Sequence, residues 1–398
     1  MRLLVIGHTA HYVADNRVVG WGPTVKEINW LAQAFDAVIH LACLHLNPAP
    51  ASTLPYETDR INFVGVPPAG GLALPEKLRA LTVAPNYSAE IIRQIRKADV
   101  IQIRTPGILG MYALVLVSWF SRKPRWTKYA GNWRASSPMP FSFRFQRGWL
   151  KRGFSRGPIT INGRWPGQPP FVFSFLNPSL TLEEIGKAQQ DTVKKNLSTP
   201  IHLIYAGRIE AEKGALATIE IARNLATQIS FRLDILGDGP DLGICQANVA
   251  DFGLQNQVVF HGWVSHKTLQ EYLRHAHFVI LPSESEGWPK ILSEGMAYGA
   301  VPVASDVSAI PQVLNQFQAG FAIPSTDIPG FAQAILKTSQ DPNRWKAFSM
   351  AGIRSAPWFS YEKYLVELDE MLAGYYGFPV LNQPLVKSLQ GKFLEAVR

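Results

Sequence analysis

The sequence predicts an α/β chain of two doubly wound domains, each a mostly parallel sheet flanked by helices. Three observations carry this expectation. The chain has 398 residues, more than one hydrophobic core usually supports. Short apolar runs suited to strands buried on both faces alternate with segments of helical periodicity in both halves. A polar stretch at 181–200 separates those halves and is expected to be a linker. Hydrophobic content of 47% against 17% charged residues supplies ample core and excludes a disordered chain.

The first domain is assigned to 1–180. Residues 3–6, Leu-Leu-Val-Ile, form its first buried strand, and 24–35 repeat apolar side chains at helical spacing. Further strands are expected at 37–41, 61–64, 100–103 and 125–129. Gly20-Trp21-Gly22-Pro23, just ahead of the first helix, forms a turn through which Gly22 can approach a substrate phosphate. The apolar run 107–120 is too short to span a bilayer and fits a buried helix. Residues 136–170, rich in Pro, Gly and aromatics, are expected to be irregular.

The second domain, 201–358, has strands expected at 201–206, 231–236, 258–260, 278–281 and 301–304. Helical patterns lie between them, for example at 215–225 and 267–276. In the final segment, 359–398, Tyr361, Leu365, Leu368, Leu372 and Tyr375 fall on one helical face. Leu385, Leu389 and Phe393 form a second stripe there.

Two cysteines, Cys43 and Cys245, give neither a disulfide framework nor zinc spacing. They suit a reducing compartment, so a cytoplasmic location is expected. The start, Met-Arg-Leu-Leu-Val-Ile-Gly, is apolar for too few residues to be a signal peptide. The net charge of +9 is unevenly spread, because no acidic residue lies between Asp99 and Glu183 while twelve basic ones do. Trp119, Phe120, Trp126, Trp133, Phe141 and Phe154 are interleaved with them. Such a basic aromatic region, 119–164, suits an anionic membrane surface or a lipid phosphate, and peripheral attachment at the inner membrane face follows. A solvated basic face with its aromatics packed inside is the plainer alternative. Nucleic acid fits the charge, but no recognition motif accompanies it.

The richest segment is 281–305, LPSESEGWPKILSEGMAYGAVPVAS. It has the pattern of strand end, loop, helix and next strand, with Pro289 at the helix start and Gly299 at its stop. Glu286 lies in the loop and Glu294 in the helix. Were both helical, their backbones would stand roughly 12 Å apart. Glycosidase carboxyl pairs are closer, at about 5–5.5 Å or about 6.5–9.5 Å, so separate tasks fit the two glutamates better. The amides of Gly287, Trp288 and Lys290 at the helix start suit an anion.

This Glu-x7-Glu segment resembles the retaining GT-B glycosyltransferases of group 1. So do Ala206-Gly207-Arg208-Ile209-Glu210-Ala211-Glu212-Lys213-Gly214, Leu236-Gly237-Asp238-Gly239-Pro240 and Phe260-His261-Gly262-Trp263-Val264. The four motifs stand in order over 203–314, whereas the N-terminal half matches in organisation alone. The resemblance implies two Rossmann-like domains facing a cleft, the first for acceptor and the second for donor, with a C-terminal helix crossing back to the first. It implies that Arg208 and Lys213 bind the donor diphosphate with help from the Gly287–Lys290 amides. Glu294 would bind ribose, Glu286 the donor sugar, and the backbone near Val264 the nucleobase. No metal and no cofactor are implied beyond a nucleotide sugar, UDP- or GDP-linked, as substrate, with a glycan or lipid-linked acceptor.

One departure from the family stands out. Many relatives carry a histidine near a later N-domain strand end, but none lies here between His45 and His202. Lys128 and Asn132 are the polar residues at that place, and His8 and His11, beyond the first strand, are alternatives. Two other functions remain open: a nucleotide-sugar epimerase or hydrolase of the same fold, and a non-catalytic nucleotide-sugar-binding scaffold.

Overall fold

The computed structural model describes residues 1–70, 82–134, 140–192 and 195–397. The chain divides into two compact units. One holds residues 1–175 and 362–392, the other residues 176–361 and 393–398.

In the first unit the parallel strands are β1 (Arg2–Ala14), β3 (Ala37–Leu44), β5 (Ile61–Val66), β6 (Val100–Thr105), β7 (Arg125–Tyr129), β8 (Ile159–Ile161) and β9 (Val172–Ser174). They lie in the order β5-β3-β1-β6-β7-β8-β9, so the winding reverses between β1 and β6. The pleat sorts β1 between two cores. Leu3 and Val5 join Ile28, Leu31 and Trp126 on one face, while Leu4 and Ile6 join Ile91, Ile101 and Leu109 on the other. Helix Tyr361–Tyr376 adds the fully buried Leu365, Leu368 and Leu372 to the first face.

The second unit has six parallel strands among the described residues: β10 (Ile201–Ala206), β11 (Phe231–Leu236), β12 (Val258–Phe260), β13 (Phe278–Leu281), β14 (Val301–Ser305) and β15 (Phe321–Ile323). Their order is β12-β11-β10-β13-β14-β15. All five strands expected from the apolar runs are present in this unit. Burial on both faces makes such strands continuous rather than alternating in hydrophobicity.

Several expectations need correction. β1 continues past residue 6 to Ala14, and Asp15 and Asn16, both at positive φ, turn it back into antiparallel β2 (Arg17–Trp21), which pairs in turn with β4 (Thr53–Pro55). Asp and Asn tolerate that left-handed conformation, which suits a tight hairpin. His8 and His11 therefore lie within β1 rather than beyond it. His11 is fully buried, with Nε2 2.8 Å from the Tyr56 hydroxyl. The segment 136–170 is not irregular throughout: helix Phe141–Lys151 and β8 form within it, while 136–139 lie outside the described residues. The supposed linker 181–200 carries helix Leu182–Thr192, whose Ile185 and Ala188 are buried. Thr181 and Glu184 start that helix with reciprocal side chain to backbone bonds of 3.0 and 2.8 Å, a capping box. Tyr375 is exposed, and Tyr376 instead turns inward to hydrogen-bond Arg125.

A buried charge cluster ties the first unit together. Glu27, on helix Gly22–Ala34, takes two hydrogen bonds from Lys128 at 2.7 and 2.8 Å and two from Arg104 at 2.8 and 3.4 Å. The Tyr364 hydroxyl approaches the same carboxylate at 3.3 Å. Truncation in Glu27→Ala leaves both cations buried without this counter-charge and should cost about 3–5 kcal/mol in urea unfolding. A loss within about 1 kcal/mol would mean that the cations find water instead.

The pH dependence follows from Lys128, which burial pushes down to about 8 despite the Glu27 charge that opposes it. Between that value and the unfolded value of about 10.4, the unfolded chain holds a proton that the folded chain has released. The cost of burying the ammonium is therefore relieved as pH rises through this window. Chemical denaturation of wild type and Lys128→Met across the window should show wild type gaining stability relative to the variant. A constant difference would contradict the assignment.

Candidate functional site

In the second unit the winding reverses between β10 and β13, and open parallel sheets bind ligands at the carboxyl ends of the strands flanking such a reversal. The sequence puts charge at both ends. After β10 come Arg208 and the short 3-10 turn Ala211–Lys213, and after β13 come Glu284 and Glu286. Their loops are held together by backbone. The Glu284 N–H donates to the Glu212 carbonyl at 2.9 Å. Gly214 sits at φ 76°, where a Cβ would lie 2.2 Å from the Pro282 carbonyl oxygen, so glycine alone permits this approach. Gly237, at φ 146°, presses on Gly207 in the same way, with 1.8 Å left for a Cβ. The Gly237 N–H donates to Gly262, which pins the loop after β12 beside the others.

On this platform Lys213 Nζ lies 2.7 Å from Glu286 Oε1 and 3.2 Å from the Ser285 carbonyl. Burial raises the Glu286 carboxyl above its ordinary range, against the charge and hydrogen bond of Lys213. The Tyr205 hydroxyl donates to the carbonyls of Arg208 at 2.8 Å and Lys213 at 3.2 Å, which fixes the cationic turn from β10. The Arg208 side chain itself is 70% exposed, with its guanidinium 3.2 Å from Glu210. Lys213, expected at the donor diphosphate, and Glu286, expected at the donor sugar, are thus in direct contact, and Arg208 stands on the same turn as Lys213.

Pro289 caps helix Lys290–Ala297 rather than opening it. Gly287 and Trp288 precede that cap. The Trp288 indole is buried, stacked on Phe359 at 5.2 Å, so the ring anchors the loop and its backbone is what remains for a ligand. Lys290 Nζ lies 3.2 Å from the Tyr361 hydroxyl. Glu294 is 8% exposed and its carboxylate stands 3.7 Å from His266 Nε2. His266 begins helix His266–His275, just after the loop carrying Val264, and its Nδ1 lies 3.8 Å from Glu184. Glu294 therefore faces the loop after β12. His266 and Glu184 went unnoticed in the sequence, where no spacing links either to Glu294. Ser265, as an N-cap, marks only where the helix starts. Val264 packs half-buried against the core.

Gly22 belongs to the first unit. Its N–H donates to the Ser52 carbonyl at 3.1 Å, and Pro23 has none, so neither of these two residues holds an amide ready for a phosphate. At the carboxyl ends of β1 and β6 a pocket of about 390 Å³ is lined by residues that include His8, Trp21, Thr24 and Arg104. Of the groups considered for the missing histidine, Lys128 is committed to Glu27, and the Asn132 side chain accepts the Arg134 N–H at 3.0 Å. His11 is buried, and His8 is the one lining this pocket.

Residues 187–354 match the family model described as glycosyl transferases group 1. Alpha-D-kanosaminyltransferase from Streptomyces kanamyceticus is 27% identical over 44% of this chain and 45% of its own length. A putative colanic acid biosynthesis glycosyltransferase, WcaL of Escherichia coli, is 31% identical over 36% of this chain and 37% of its own. The chain thus spans under half the length of these curated relatives. Sucrose-phosphate synthase from Thermosynechococcus elongatus superposes with a TM-score of 0.70 at 14% identity, covering 94% of this chain and 98% of that one. Anabaena HepE in complex with UDP gives 0.67 at 14%, covering 94% and 100%. The fold is GT-B, and family model and relatives together support a group-1 glycosyltransferase.

The glycine contacts predict a local effect. Gly214→Ala should destabilise the second unit by about 1–3 kcal/mol, because it forces a left-handed residue against a carbonyl. Chemical denaturation measures this, and an unchanged midpoint would mean the two loops are free to separate.

Proposed function

We propose that the chain transfers a sugar, with retention of configuration, from a nucleoside-diphosphate donor to a glycan or lipid-linked acceptor in cell-surface polysaccharide or glycolipid synthesis. The observation that carries this reading is the contact of Lys213 with Glu286 where the winding reverses, with Arg208 exposed on the same turn. As the bond from the sugar C1 to the diphosphate oxygen breaks, negative charge grows on the leaving group. Arg208 and Lys213 meet that charge, aided by Lys290 and the backbone amides before its helix. These fixed cations make a metal ion unnecessary in the scheme.

Glu286 contacts the donor sugar and holds Lys213 in register for the β-phosphate. Glu294 receives the ribose hydroxyls, and the backbone near Val264 receives the base. The acceptor hydroxyl attacks C1 from the side the diphosphate leaves. Its proton passes to the departing phosphate oxygen as the new bond to C1 forms, so no separate base is required. In this reading the acceptor occupies the first unit's pocket at Arg104 and His8. Positioning and charge stabilisation then supply most of the rate.

Thermal shift with UDP, GDP, ADP and dTDP, without metal, tests the donor site. HepE in complex with UDP makes UDP the first to try. At a hundredfold excess over Kd a ligand of the folded state adds about 2.7 kcal/mol. One nucleotide should raise the Tm of wild type and leave Glu294→Ala and Arg208→Ala unmoved. No shift from any of the four, or full shifts in both variants, would contradict the site.

A further inference from the structure

The edge of the first unit's sheet opposite that pocket, where β6, β7 and β8 begin, carries a surface that sugar transfer does not use. Arg125 organises it. Its guanidinium donates to the carbonyls of Val117 and Ser121 at the end of helix Ile108–Phe120. The Tyr376 hydroxyl accepts the Arg125 N–H at 2.8 Å and donates to its carbonyl at 2.7 Å. Gly157 lies against the same backbone, where a Cβ would stand 2.7 Å from the Arg125 carbonyl oxygen. Lys123 reaches across to the carbonyls of Ile95, Arg96 and Ala98 at the end of helix Ala84–Lys97. Several separate chain segments thus meet at one corner.

What they expose is aromatic and cationic. Trp119 and Phe120 are 67% and 63% exposed, and Phe154, Tyr375 and Phe378, on the other segments that meet Arg125, are 43–49% exposed. Isolated apolar side chains are ordinary on a surface, but five aromatics about one buried hinge form a patch. Arg96, Arg122, Arg152 and Arg156 stand exposed beside it. Asp99, the acid closest in sequence, accepts the Arg2 N–H at 2.7 Å, and loops 121–124, 152–158 and 374–379 contain no acid.

We propose that this corner docks on an anionic lipid bilayer, with Trp119, Phe120 and Phe154 entering the headgroup level and the arginines meeting lipid phosphates. A partner held by charge alone, such as duplex nucleic acid gripped by its phosphates, would leave the exposed aromatics unused. The surface is narrower than the whole basic region 119–164. Trp126, Tyr129 and Trp133 belong to the core, and Phe141 starts a helix that follows the other end of β7. The inference does not depend on the donor-site reading.

Co-sedimentation of the full chain with vesicles tests it, using phosphatidylcholine alone and phosphatidylcholine mixed with phosphatidylglycerol. Wild type should pellet with the anionic vesicles alone and be released by salt. Each cation near such a surface is worth roughly a fivefold change in partitioning, so Arg122→Glu should weaken binding by more than about tenfold. The double variant Trp119→Ser/Phe120→Ser should lose it, while Phe141→Ser, at an equally exposed aromatic on the other edge, should bind as wild type. Melting curves check each fold, and Arg122→Glu keeps the test decisive if the double variant unfolds. No binding to anionic vesicles, or variants that bind like wild type, would overturn the proposal. So would a dimer that the double variant dissociates while wild type ignores both vesicles, since the patch would then face protein.

Discussion

At the carboxyl ends of β10 and β13 the backbone approaches itself more closely than any residue with a Cβ would allow. Gly214 lies under the Pro282 carbonyl and Gly237 under that of Gly207. The pairing of Lys213 with Glu286 rests on the first of these approaches, because the two residues hang from the loops it joins. The ion pair itself is partly exposed on the lysine side and is worth little as a source of stability. Its geometry comes from the glycines and from the Tyr205 hydroxyl beneath, so the charges are held in place before any ligand arrives. Fixed groups of that kind stabilise developing charge without having to reorganise during a reaction.

The first unit treats charge in the opposite manner. Glu27, Lys128 and Arg104 satisfy one another in the interior, and replacing such a cluster by well-packed apolar residues is often neutral. Its role here is to fix helix Gly22–Ala34 and helix Tyr361–Tyr376 against the same face of the sheet. Arg104 belongs both to this cluster and to the wall of the pocket at the strand ends, so one guanidinium links the core to the surface. Arg96, Arg122, Arg152 and Arg156 stand instead at the far edge around Arg125. One sheet therefore carries a pocket at one end and a cationic aromatic corner at the other.

The strands of the second unit were legible because doubly buried parallel strands give unbroken apolar runs, and charged residues next to glycines stand where those runs stop. Arg208, Lys213, Glu286 and Glu294 could be named because their motifs, in that order, resemble those of group-1 glycosyltransferases. Contacts between distant segments could not. Glu27 meets Arg104 and Lys128 across 77 and 101 residues, and no local period records such a pairing. Helix Phe141–Lys151 was hidden because arginines and aromatics alternate in it, and its buried residues include Gln146. The extension of β1 depended on the Asp15-Asn16 turn, a hairpin signal that lies outside the helical and strand periodicities. The place of Trp288 beside the glutamates in the chain likewise says nothing of Phe359, against which its ring packs.

Hydrogen–deuterium exchange with and without a nucleoside diphosphate would test the central claim most directly. Ligand should slow exchange at residues 207–214 and 284–294, where the joined loops and the following helix carry the cations and both glutamates. Val264 and its neighbours in the loop after β12 should follow. Protection confined to the first unit, or spread evenly over the chain, would contradict the assignment of the donor to the ends of β10 and β13.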